Sequence, residues 1–250
     1  LSLRRQRQMC IRDRSKIDDG TITLSNVAAA TVSGFYGTLD IDSGVETLTT
    51  TDSVTIALDG ATDLVTATLD YKYDWDPALT TAQAAVADDL SNQGYLEDYA
   101  TSASIGGTDL KTLTVSGELL DLYLDEANLE SLTLTGVTMH VLTMSNMDDL
   151  TTLSVASGNK IGDISLTGSD NLTVADFNHT TNLDKTASGT TASTAVETGV
   201  SFVATDNLGL TKLHTTGDHV DTFTVTGNDA LAELDMTGLK DFGTTTEPSF

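Results

Sequence analysis

Few residues in this chain are equipped for chemistry, and the histidines come first. There are four, His140, His179, His214 and His219, and the tightest grouping is HTTGDH, which brings His214, Asp218 and His219 close in sequence. Two imidazoles and a carboxylate are metal-ligand types, but their spacing matches no zinc motif. Histidines in solvent-facing turns are the expectation there.

Carboxylates are the second candidate. DIDSGVE (Asp40–Glu46) and DYKYDWD (Asp70–Asp76) concentrate them, and Asp40, Asp42, Asp74 and Asp76 are the candidate calcium ligands. The order is not that of an EF-hand, because Gly44 arrives early and Thr51 stands where that loop needs a bidentate Glu. The glycine-rich nonapeptide of calcium-binding solenoids is missing too. What remains is loose, opportunistic calcium binding through charge density, with no resident cofactor expected. For catalysis there is no G-x-S-x-G elbow, no phosphate loop and no H-E-x-x-H. Acid pairs suited to glycoside cleavage depend on a separation in space, so the sequence assigns none. Tyr71, Tyr73, Trp75 and Tyr123 could form an aromatic platform for a sugar, although Trp75 fits a core or helix-cap position better. No turnover is expected.

Hydroxyl groups are the third candidate. Thr112 and Thr114, Thr133 and Thr135, and Thr222, Thr224 and Thr226 stand two residues apart, the period that puts strand side chains on one face. Stacked from strand to strand, such Thr-x-Thr pairs would form an ordered hydroxyl array that resembles the surface of ice-binding β-solenoids. The plainer reading is that Thr suits an exposed strand, since its branched Cβ fits the pleat and its hydroxyl stays wet.

Each of these groups needs elements to hold it. The 250 residues include 44 threonines and two prolines, Pro77 and Pro248, with 39% hydrophobic and only 5% aromatic residues. Such a chain can bury a sizeable core, built from Leu, Val and Ile, and its composition leans to β structure. No apolar run approaches the roughly 18 residues of a membrane helix, so no membrane insertion of this segment is expected.

Internal repeats define the architecture. NLGLTKLHTTG (Asn207–Gly217) returns as NDALAELDMTG (Asn228–Gly238) at an offset of 21 residues (207 to 228), keeping Asn, both Leu, Thr and Gly. A shorter unit, two apolar residues three apart with Gly four after the second, recurs as Leu110, Leu113, Gly117 and as Leu129, Leu132, Gly136. It appears again as Ile161, Ile164, Gly168 and as Val220, Phe223, Gly227, while Leu150 and Leu153 fit with Gly158 one residue late. Rungs of about ten residues lie between, so each 21-residue unit is expected to hold two short strands. In LKTLTVSG, Leu113 and Val115 share one face and Thr112, Thr114 and Ser116 the other; Gly117 then permits the turn. One unit cannot bury its apolar face alone, but stacked units can.

The expected fold is mainly β, a right-handed parallel β-solenoid. Residues 15–75 supply N-terminal β rungs through TITLSN, ATVSG, TLDIDSG, SVTIALDG and LVTATLD, and residues 101–245 form the repeat solenoid. One short helical insertion is expected near 76–93 within a 76–100 segment: Asp76 is a plausible N-cap, Pro77 sits at the first helical position, and Gly94 can end it. LESLTLTG, LTTLSVASGN and NDALAELDMTG resemble the short leucine-rich repeats of bacterial surface proteins and the Thr, Gly and Leu-rich solenoids of some surface-layer proteins. The resemblance spans roughly residues 102–242. Its intermittent Asn and the interruption TNLDKTASGTTASTAVETG favour a flatter solenoid than a horseshoe.

The N-terminus stands apart. Arg4–Arg14, RRQRQMCIRDR, holds every arginine and the only cysteine, and it resembles the translated adapter of transposase-based sequencing libraries, matching ten residues codon by codon. Residues 1–14 are therefore expected to be an artefact, disordered and packed on nothing, and both natural ends are expected to be missing, with 246–250 a truncated tail. Beyond residue 14, seven lysines face 36 acids. That charge repels phosphate and excludes nucleic acid as a partner, and without Cys10 no disulfide or thiol chemistry remains. The expected function is a non-catalytic secreted or cell-surface structural or adhesive protein, with self-assembly or a surface glycan or protein as the partner class. A carbohydrate-active or carbohydrate-binding solenoid is the alternative, and ice binding through the Thr-x-Thr array the third.

Overall fold

A computed structural model describes residues 8–12, 21–35, 38–51, 53, 55–58, 60–71, 103–106, 109–119, 121–125, 128–181, 200–217, 219–239 and 241–242. All the regular elements among them are strands, and these strands pair in parallel. The chain is a β-solenoid: the alternation of apolar and polar residues makes strands with one buried face, and their parallel stacking covers those faces.

One face is built from β1 (Gln8–Arg12), β3 (Ala29–Ser33), β5 (Thr47–Thr51), β7 (Thr66–Tyr71) and β9 (Thr112–Glu118). It continues through the first halves of β11 (Ser131–Ser145) and β12 (Thr152–Thr167), then β13 (Val174–Thr181), β15 (Lys212–Thr215) and β18 (Glu233–Asp235). The second face starts with β2 (Thr21–Leu24), β4 (Thr38–Ile41) and β6 (Thr55–Ala57). It resumes with β8 (Ala103–Gly106) and β10 (Asp121–Asp125), the second halves of β11 and β12, then β14 (Ser201–Thr205) and β17 (Thr222–Thr226). A short separate pair joins β16 (His219–Val220) to β19 (Asp241–Phe242). Two strands per turn is thus the observed unit; most turns advance 17 residues (Thr21 to Thr38) to 22 (Val141 to Asp163), and two longer ones advance 46 (Thr66 to Thr112) and 38 (Val174 to Lys212).

The core lies between the faces. On the first, Leu48, Ala67, Leu113, Leu132 and Leu153 form one inward file, all buried, and Leu69, Val115, Leu134, Val155 and Phe177 form the next. Each fully buried Leu contributes about 1.5–3 kcal/mol of hydrophobic stabilisation. Aromatics bridge the faces near the C-terminal end: Phe177 meets Phe202 edge-on at 5.4 Å, and Phe202 stacks on Phe223 at 5.1 Å. The repeat Leu-x-x-Leu-x3-Gly serves both faces, which explains its recurrence at half the turn length. Leu110, Leu129 and Leu150 enter the core just before first-face strands, while Ile161 and Val220 do so before second-face strands.

Corners are held in two ways. Left-handed backbone recurs directly after second-face strands at Asn146, Gly168, Asp206 and Gly227, residue types that tolerate positive φ. Just beyond, Asn207 and Asn228 form a ladder. The buried Asn207 accepts Ser169 N–H at 2.9 Å and donates to the carbonyls of Leu166 and Thr205. Asn228 repeats this one turn on, accepting Asn207 N–H and donating to Ala204 O. The repeated Asn therefore pairs corner backbone groups that no strand reaches. Asn159 does the same where the register of β11 slips, bonding Val137 N–H and Leu134 O.

Within the N-terminal segment, Gln8–Arg12 form a strand paired in register along Ala29–Ser33. An open solenoid end presents a row of unpaired N–H and C=O groups, and any extended segment nearby can satisfy them. The helical insertion at 76–93, residues 15–20 and the tail at 246–250 fall outside the described residues.

Candidate functional site

The outward side chains of the first face form two continuous files. The registers place Thr31, Thr49, Thr68, Thr114, Thr133 and Ser154 in one, and Ala29, Thr47, Thr66, Thr112, Ser131 and Thr152 in the other. None is buried. Strand sequences such as TLT, TAT, TLTV and TLSV produce this locally: the apolar partners turn inward, which fixes the hydroxyls outward.

Six successive rungs thus carry Thr or Ser at eleven of twelve positions, and no charge. Charged groups flank the files. In the third file Asp70 stands beside Ser116, whose hydroxyl donates to it at 2.7 Å. On the corner before the strands, Lys111 lies 3.3 Å from Glu130 and 3.8 Å from Asp149. Beyond β12 the files change character: Asp176, His214 and Asp235 continue along β13, β15 and β18, beside Val174, Lys212 and Glu233. His214 Nδ1 lies 2.7 Å from Asp176 Oδ1, and Lys212 Nζ donates to Glu233 at 2.7 Å. The Thr237 amide and hydroxyl hold the Asp235 carboxyl below its usual range, with His214 and Lys212 adding a smaller pull. These are cross-strand ion pairs of an exposed sheet.

The sequence-derived array is therefore divided. Thr112, Thr114 and Thr133 belong to the first-face lattice, whereas Thr135 falls on the corner where the β11 register shifts. Thr222, Thr224 and Thr226 lie on the second face, opposite Ser201, Val203 and Thr205. That face mixes chemistries, with Asp121, Tyr123, Val141 and Asp125 among its outward residues. Sequence reasoning missed Thr31, Thr47, Thr49, Thr66 and Thr68, although the Thr-x-Thr spacing at 47/49 and 66/68 was a sufficient signal.

The other candidates scatter. His214 sits in strand β15 rather than a solvent turn; Asp218, and the side chain of His219, lie outside the described residues. His140 and His179 are buried, the latter with Nδ1 3.0 Å from Phe177 O. Asp42 accepts Ser43 N–H at 2.7 Å, and Thr23 donates to Asp40 at 3.3 Å, so both carboxylates have local polar partners. Asp74, Asp76, Tyr73 and Trp75 lie outside the described residues. Among the described residues no three His, Cys, Asp or Glu side chains group to hold a metal. Tyr71 is a core residue, 3% exposed, and burial pushes its phenol well above the ordinary tyrosine range; it forms no sugar platform. Tyr123 is exposed, its phenol raised mainly by desolvation and then by Asp121. An open depression of about 400 Å³ sits at the C-terminal rung between Asn228, Leu231 and Leu234.

No family model, curated protein or solved structure matches the chain.

Proposed function

We propose that this chain is a non-catalytic segment of a secreted or cell-surface protein, a structural or adhesive scaffold that presents the neutral hydroxyl face as its contact surface. The observation that carries this reading is the sorting of charge. In a chain of net charge −25, two adjoining files hold no acid or base over six rungs of the first face, while carboxylates stand at the corners and on the far rungs. Folding requires regularity of the inward residues; the outward files are regular as well, which a displayed surface accounts for.

A displayed surface must be separable from the support of the fold. Thr49→Lys with Thr114→Lys is expected to cost about 1 kcal/mol or less per site in urea unfolding. Leu113→Ala, on the same rung as Thr114, is expected to cost about 2–5 kcal/mol. Unfolding by the paired lysines would mean that the hydroxyls support the sheet, and the reading would fail. A carbohydrate-binding reading would centre on Tyr123 of the second face, and saturable binding of a soluble oligosaccharide lost in Tyr123→Ala would favour it instead.

A further inference from the structure

We infer that the first-face hydroxyl lattice binds the ordered water of an ice surface. This names the contact made by the surface proposed above, and so rests on that reading.

Three features of the face select the ligand. It is periodic in two directions: parallel rungs repeat at about 4.8 Å, and residues two apart on a strand at about 6.6 Å, so six rungs extend over about 24 Å. It is neutral, with no carboxylate to attract a cation and no cation to attract phosphate, sulfate or nucleic acid at any of the twelve positions. It also carries no aromatic ring for stacking on a sugar, and its files are rows of short side chains with no large residue to wall a pocket. A soluble ligand is held by enclosure, charge or stacking, and these files offer none of the three. An extended, uncharged, periodic lattice of donors and acceptors is what they complement, and ice is such a lattice.

Threonine suits the task atom by atom. Its hydroxyl both donates and accepts, as a lattice water does. Its methyl group restricts the orientations of adjacent water, pre-ordering the layer that must join the crystal. A single bridging water gains little, but rungs fixed by a common core present all their contacts at once, and weak contacts on one rigid frame add. A charged side chain inside the files would hold its own hydration shell and break the match. The change to Asp176, His214 and Asp235 therefore marks the edge of the patch.

The test is partition of the full chain into slowly grown ice, alongside Thr114→Lys/Thr133→Lys and the second-face control Thr224→Lys. Circular dichroism confirms that each is folded, with Thr49→Lys as a replacement should the double variant misfold. The wild type and the control should enter the ice, and the first-face variant should be excluded by roughly tenfold or more, equivalent to about 1.4 kcal/mol. A folded wild type left in the liquid overturns ice binding while the unfolding comparison still judges the displayed-surface reading. Equal loss in the control also overturns it, because the contact would then not run through this face.

Discussion

At the residue scale, glycine and tyrosine make the sharpest demands. Gly117 has φ of 87°, and a Cβ there would collide with the Tyr71 carbonyl oxygen on the preceding rung. Gly136 occupies the next corner with φ of 63° but meets nothing within 4 Å. Gly136→Ala should therefore cost only the left-handed backbone penalty, about 1–2 kcal/mol, whereas Gly117→Ala must also displace a neighbouring strand and should exceed about 3 kcal/mol. Denaturant midpoints of the two variants measure the difference. The sequence showed both glycines as turn residues; it did not show which one a neighbouring backbone crowds, because that neighbour is 46 positions away (71 to 117) in the chain. Tyr71 supplies a pH prediction. Its folded pKa is raised, so the stability it contributes is fully present below the unfolded value of about 10 and is lost as pH climbs above it toward the folded pKa. In an alkaline absorbance titration, Tyr71 should ionise only with unfolding, and Tyr71→Phe should shift the alkaline unfolding midpoint upward.

At the element scale, strand identity was legible because period two is written into nearly every rung, as in LKTLTVSG and NLESLTLTG. The pairing order was only half legible. The Leu-x-x-Leu-x3-Gly unit reads the same for both faces, so it gave the unit without sorting alternate strands to opposite sides. That ambiguity is why Thr112 and Thr224 entered one array in sequence and lie on different faces in space. The strand at Gln8–Arg12 was not legible for a different reason: edge pairing is made by backbone groups, which carry no sequence signature. The ladder of Asn207 and Asn228 was visible as a 21-residue offset, but its work, pairing corner carbonyls and amides, required the corners to be stacked.

At the scale of the whole molecule, the division of labour between inside and outside is the main result. Inward files hold mainly Leu, Val, Ile, Ala, Met and Phe, two outward files across six rungs of the first face are uncharged and almost wholly hydroxylated, and the net charge of −25 is carried elsewhere. Composition revealed the charge and the Thr content but not their segregation, which exists only once residues far apart in sequence share a file. The account depends most on the register of β7 with β9, which joins Thr68 to Thr114 across 46 residues (68 to 114). A cysteine pair tests it: with Cys10→Ser as background, Thr68→Cys/Thr114→Cys should form an intramolecular disulfide under mild oxidant, since adjacent rungs lie about 4.8 Å apart and a disulfide spans about 4.4–6.8 Å. Thr68→Cys/Thr133→Cys, two rungs apart at about 9.6 Å, should not. Failure of the first pair, or equal cross-linking of the second, would contradict the lattice on which the proposed contact surface stands.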